Sequence, residues 1–313
     1  MKKQAVFLPT AFGLVLAGLV FQFAFGKRDA FAQVSSGDRT LVSRTVSSAP
    51  AERPREVETA LSRFSAAASL NARSRRTMTW AFGAKQQTGW DIYVPLVSQT
   101  IGTNASPDFP EFASSLSKWQ SKNSLEPTGI LDDTTMTAMA KYWQSQRLGR
   151  SDVPSADRLL TAPIIDFFDP TRSPDLLQLE RETYTAYKKM LQAASKDLKG
   201  VVRFTKDGEL AEGEKFFRIV SAFRSPDYQA TLRAASPGSG RVALAKHSAH
   251  ATGQALDIYV GGEPVTTKDA NRLIQVNTPA YKWLVKNASR FGFYPYFYEP
   301  WHWEYVPGPI GQR

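Results

Sequence analysis

The sequence predicts an α+β protein: a small sheet flanked by helices in the C-terminal half, preceded by a small, mainly helical module. Three patterns carry this prediction. Phe112, Leu116 and Trp119 recur at helical spacing, and Met136, Met139 or Ala140, and Trp143 repeat the pattern after a turn at Pro127-Thr128-Gly129. Leu176, Leu177, Leu179, Tyr184, Tyr187, Met190 and Leu191 suit a long helix entered at Ser173-Pro174 and stopped by Gly200. Over residues 255–260 the period changes to two. Leu256, Ile258 and Val260 then share one face, and Ala255, Asp257 and Tyr259 the other.

Taken in order, residues 1–33 read as an export signal or membrane anchor. Lys2 and Lys3 precede an apolar run from Ala5 to Phe25, and Ala30-Phe31-Ala32 offers a small-residue cleavage site. The run is about long enough to cross a bilayer, so an uncleaved anchor is the other reading. Either one places the remainder in an extracytoplasmic compartment, the periplasm or cell wall. Residues 34–76 are rich in Ser, Ala, Thr and Arg and read as a basic flexible linker, with room for a short helix near Val57–Leu70. Residues 77–150 form the helical module, in which Asp132 or Asp133 caps the second helix. Residues 151–172, punctuated by Pro154, Pro163 and Pro170, read as a second linker. Within 173–313 the long helix is followed by a strand over Phe216–Phe223 ending at Arg224. A helix from Ser225-Pro226-Asp227, a Gly/Ser/Pro loop at 236–240 and the strand at 255–260 come next. A helix over Thr278–Phe291 and an aromatic strand over Tyr298–Val306 complete the domain.

Composition narrows the function. The chain of 313 residues has no cysteine, which excludes disulfide staples, thiolate metal sites, a Cys nucleophile and a lipidated N-terminal cysteine. The formal charge of +10 favours an anionic partner such as an acidic wall polymer. Residues 34–76 hold eight arginines against four acids, and the rest of the excess is spread. That spread, together with the export signal, argues against nucleic acid.

Histidine is scarce: His247, His250 and His302 are the only three. Two of them lie beside carboxylates, in Ser248-Ala-His250-Ala-Thr-Gly-Gln-Ala-Leu-Asp257 and in Glu299-Pro-Trp-His302. A borderline-soft divalent ion such as zinc takes imidazole and carboxylate ligands and, in a catalytic site, leaves a position open for water. His250, Asp257 and His302 can supply that set, with Glu299 left over as a base. Strand alternation points Asp257 away from the aliphatic face. Spacing leaves one difficulty: residues 299 and 302 of a regular strand face opposite ways, so a strand start or a bulge is needed.

These motifs, with Ser221-Ala222-Phe223-Arg224-Ser225 upstream, resemble the zinc D-Ala-D-Ala carboxypeptidases of the vancomycin-resistance type. Their superfamily also includes dipeptidases, phage endopeptidases and the hedgehog domain. Ala222 and Phe223 stand where the family has Gly and Tyr. The resemblance covers residues 175–313 and implies a small antiparallel sheet flanked by helices, with one zinc ion on His250, Asp257 and His302. It further implies Glu299 as general base and Arg224 as the group that meets substrate carboxylate or polarises the scissile carbonyl. Gln229 and Ser248 become candidate substrate contacts. Separately, Leu116…Trp119-Gln120…Pro127-Thr128-Gly129…Tyr142-Trp143-Gln144 is similar to the small peptidoglycan-binding module. The expectation is a zinc D,D-carboxypeptidase acting on peptidoglycan stem peptides. The alternatives are an L,D-carboxypeptidase or endopeptidase using the same site, and a non-catalytic zinc protein of the wall. Nothing in the residues points to an oligomeric state.

Overall fold

The computed structural model describes residues 55–235 and 248–308, with side chains from residue 64 onward. The export segment, the 34–54 stretch, the 236–240 loop and His247 therefore lie outside the described residues.

Residues from Arg53 onward form a unit distinct from Met1–Glu52. Its elements are α1 (Arg55–Thr77), β1 (Thr79–Phe82), β2 (Lys85–Thr88), α2 (Val94–Ile101), α3 (Pro110–Lys122), α4 (Asp133–Ser145), β3 (Leu159–Thr161), β4 (Gln178–Glu180), α5 (Arg181–Asp197), β5 (Ile219–Ser221), α6 (Pro226–Ala235), β6 (Ala255–Ile258), α7 (Asp269–Asn277), α8 (Pro279–Asn287), β7 (Phe293–Pro295) and β8 (His302–Tyr305). The architecture is α+β. Its main sheet is antiparallel throughout, in the order β5-β6-β8-β7.

One face of this sheet is apolar. Ile219, Leu256, Ile258, Phe293 and Trp303 pack with Tyr187, Met190 and Leu191 of α5 and with Tyr281 and Leu284 of α8. Each fully buried large side chain contributes about 1.5–3 kcal/mol relative to exposure, so this layer is the main support of the sheet. The opposite face carries polar groups at Ser221, Asp257, His302 and Glu304. Along β5 the two faces are reconciled by an irregularity. Ile219 pairs with Ile258 but Ser221 pairs with Asp257, so two steps on β5 match one on β6. The extra residue re-aims Ser221, as a bulge does.

The helical half closes around a second core. Phe112, Leu116, Met136, Met139 and Trp143 are buried there, as their spacing requires, together with Trp80, Trp90 and Tyr93. Asp132 is the cap of α4, its Oδ1 accepting the Thr135 N–H at 2.8 Å. This core is completed from the other end of the chain. Tyr296, Phe297 and Tyr298 insert into it, and the Phe297 ring lies 4.7 Å from Phe82, 5.5 Å from Trp143 and 5.7 Å from Tyr93.

Several segments differ from their sequence-based reading. The basic stretch expected as a flexible linker is helical from Arg55 to Thr77. Ala67, Ala68 and Asn71 form a narrow buried stripe on it, and Asn71 bonds the Gly129 carbonyl and the Leu131 N–H. Such a stripe of small residues leaves no large-residue periodicity to detect. The helix expected from Ser173 begins instead at Arg181. Pro174–Leu176 make only a 3-10 turn, Leu179 is the central residue of β4, which pairs with β3, and Glu180 caps α5 by accepting the Thr183 N–H. The pairing strand, β3, comes from the segment read as the second linker. The expected strand at Tyr298–Val306 begins only at His302, because two successive turns precede it.

Candidate metal centre

Each site residue is delivered by a different local device. Asp257 sits in mid-β6 and is placed by ladder pairing with both Ser221 and His302. His250 lies in a single 3-10 turn, Ala249–Thr252. Ser248 Oγ caps this turn by accepting the His250 N–H at 3.3 Å, and Gly253 ends it with φ 71°. A Cβ on Gly253 would come within 2.9 Å of the Glu180 nitrogen, so the motif glycine is required both by its left-handed backbone and by its contact with β4. Glu299 and His302 are the ends of a tight turn, with the His302 N–H donating to the Glu299 carbonyl at 2.9 Å. An i, i+3 pair across a turn can face one region. This resolves the difficulty posed by a regular strand.

The three expected ligands converge. One ligand atom from each of His250, Asp257 and His302 lies within 4.8 Å of the others, and all three residues are buried. His250 Nε2 is 3.2 Å and His302 Nδ1 is 3.0 Å from the same oxygen, Asp257 Oδ1. The remaining ring nitrogens determine what those atoms are. His250 Nδ1 is 2.7 Å from the Ala222 carbonyl, which can only accept, so Nδ1 carries the proton and Nε2 presents a lone pair. His302 Nε2 is 3.1 Å from Glu304 Oε1, which likewise assigns the proton to Nε2 and the lone pair to Nδ1. With His302 neutral, two nitrogen lone pairs and a carboxylate oxygen aim at one another without a donor between them. A cation satisfies this arrangement, and the donor set, N₂O, suits zinc-like ions.

The electrostatics agree. Burial, reinforced by the Arg224 guanidinium, pushes His250 down to about 4, so it is neutral near pH 7. Asp257 is held well below the carboxylate range: burial opposes ionisation, but His250 and Arg224 outweigh it. Burial would lower His302, yet its two carboxylate neighbours, Asp257 and Glu304, raise it to about 9. In the absence of an ion a proton is thus held where a ligand bond would form, and metal binding releases it.

Arg224 is nine-tenths buried. Its Nη2 donates to Asp257 Oδ2 at 2.5 Å and its Nε to Ser221 Oγ at 2.9 Å, so one nitrogen holds the Asp257 carboxylate while another anchors the guanidinium to β5. Its backbone N–H also donates to the His250 carbonyl at 3.1 Å, tying the two motifs together. Gln229 is the one buried residue of α6. Glu299 is buried and its Oε1 has no hydrogen-bond partner. Burial pushes this carboxyl up to about 7, the His302 charge lowers it and the Asp257 charge raises it. Two supporting groups escaped the sequence reading. The Ala222 carbonyl belongs to the backbone, so no residue type could reveal it. Glu304 was detectable as an acid two residues beyond His302 in an otherwise aromatic strand.

The comparison with family models matches residues 176–308 to VanY, described as D-alanyl-D-alanine carboxypeptidase. The comparison with curated proteins gives no match. The matched stretch contains Arg224, His250, Asp257, Glu299, His302 and Glu304.

Proposed function

We propose, from the premise that residues 176–308 form a domain of the D-alanyl-D-alanine carboxypeptidase family, that the protein is a zinc-dependent enzyme removing the terminal D-Ala of peptidoglycan stem peptides. The family gives the coarse activity, a carboxypeptidase acting on D-Ala-D-Ala. The observation that carries the finer reading is the convergence of three lone-pair donors beside a buried carboxyl, Glu299, whose Oε1 is unpartnered.

A zinc ion on His250 Nε2, Asp257 Oδ1 and His302 Nδ1 would supply Lewis acidity and bring the pKa of a water toward about 7. Glu299 accepts the proton of the attacking water at Oε1 and returns it to the departing amine. An environment that lifts a carboxyl toward neutrality suits both steps. Arg224 keeps Asp257 ionised and engages its Oδ2, leaving Oδ1, which lies beside both imidazoles, as the oxygen that would hold an ion. Its Nη1 is the atom left to meet a substrate carboxylate. Gln229 and Ser248 are retained as substrate contacts, Ser248 with the added task of holding the His250 turn. Retention of Glu299 favours an enzyme over a zinc scaffold.

A peptidoglycan substrate and the export signal read over residues 1–33 both support an extracytoplasmic location, in the periplasm or cell wall. Residues 77–150 are proposed to contact the wall, with the basic charge of the chain aiding association with anionic polymer.

Mass spectrometry of defined muropeptides tests this reading. We expect loss of a single terminal D-Ala, abolished by a chelator and restored by zinc. Loss of a dipeptide, cleavage at an L,D bond or opening of a cross-bridge would replace the specificity. Full turnover in the presence of a strong chelator would sink the metal mechanism.

A further inference from the structure

We propose that Arg147 and the backbone of Leu148, at the end of the helical half, position His302 for metal binding through Glu304. This deepens the metal reading above and rests on it. Both residues lie upstream of the stretch that the family model covers.

Glu304 is 1% exposed and shares a sheet face with His302, two residues away on β8. Its Oε1 accepts from His302 Nε2 and, at 3.0 Å, from Arg147 Nε; Arg147 Nη2 forms a further short contact to the same oxygen. Its Oε2 accepts the Leu148 N–H at 2.7 Å. Three of the four donors thus come from residues 147–148, more than 150 positions away in sequence. Arg147 is itself held by Gln144 Oε1 at 2.9 Å, and its guanidinium lies 4.1 Å from the centre of the Tyr296 ring. The Tyr296 N–H donates to the His302 carbonyl at 2.9 Å, so Arg147 bears on His302 by two routes. Arg150, three residues on, reaches Gln254 Oε1 at 2.5 Å, at the entrance to β6. The segment 147–150 therefore clamps both strands that carry ligands.

Stability alone does not account for this arrangement. A buried ion pair is often matched by apolar packing of the same volume, since desolvation offsets the attraction. What Glu304 provides is the choice of tautomer: it keeps the proton on His302 Nε2 and frees Nδ1. A carboxylate behind a ligating imidazole commonly governs 10- to 100-fold of metal affinity, roughly. Glu304 can do this only while Arg147 and Leu148 neutralise and aim it.

Metal titration of the full chain, with a chromophoric chelator as competitor and cobalt(II) as spectroscopic probe, tests the relay. Arg147→Met keeps the stem over Tyr296 and removes the donors; Glu304→Gln keeps the shape and removes the charge. Both should weaken metal binding by about 10-fold or more and perturb the cobalt spectrum, with unchanged circular dichroism. They should also lower kcat on muropeptide while leaving KM unmoved, and Arg147→Lys should recover part of the loss. Metal affinity within two-fold of wild type in both variants would overturn the relay while leaving the metal centre intact. Wild-type protein that takes up no metal would instead remove the metal reading itself.

Discussion

Glu299 and Glu304 are both buried carboxyls beside His302, and their surroundings push them in opposite directions. Burial raises each. At Glu304 the His302 and Arg147 hydrogen bonds reverse that and take it down to about 2, whereas Glu299 has no such donor and stays near 7. One is a permanent anion that orients a ring; the other can exchange a proton. Glu299→Gln should therefore lower kcat by about 10²–10⁴-fold, the usual worth of a general base, with metal content unchanged by elemental analysis. Undiminished turnover would remove Glu299 from the reaction. If Glu299 is the base proposed above, its ionised carboxylate is the working form, and kcat/KM should decline as pH falls through about 7 or below, bound cation favouring the lower end.

At the scale of elements, the site depends on short irregular pieces rather than on long helices. The turn from Glu299 to His302, the capped turn around His250 and the extra residue in β5 each re-aim one side chain. A carboxylate holds another such piece. Burial would raise Glu214, but N–H groups of Arg203, Phe216 and Lys215 at 2.7–2.9 Å bring it below its ordinary 4.5. Because the folded value is the lower one, the stabilisation is complete above 4.5 and disappears as pH drops through the folded value. Urea midpoints of wild type and Glu214→Gln should differ at neutral pH and converge in acid. A gap independent of pH would show that ionisation of Glu214 is not involved.

At the scale of the whole molecule, Tyr296-Phe297-Tyr298 close the aromatic core of the helical half immediately before Glu299. A wall-binding module and a catalytic domain that behaved independently would each need a closed core. Here one core is shared, and deletion of the segment ending at residue 150 would remove Arg147 as well. Phe297→Ala should cost about 3–5 kcal/mol, as for a buried aromatic, and should lower hydrogen-exchange protection of α4 and β6 together. Loss of protection in α4 alone, with β6 unchanged, would show that the halves fold separately.

The buried cluster of His250, Asp257 and His302 was legible in the sequence because it depends on residue type and local order. Three histidines in the whole chain, two of them in tight motifs with Asp257 and Glu299, leave few ways to build a cation site. The period-two pattern at 255–260 correctly assigned Asp257 to the face opposite Leu256 and Ile258. The α+β class followed from equally local periodicity. Helix boundaries were less legible where small residues or tertiary pairing decide them, as at Ala67–Asn71 and at β4. Only the tertiary structure could decide how Glu299 and His302 meet, which oxygen of Asp257 faces the ligands, and that Arg147 stands behind Glu304. Those outcomes depend on turns closed by backbone hydrogen bonds and on contacts between residues far apart in the chain. Neither leaves a periodic mark in the order of the amino acids.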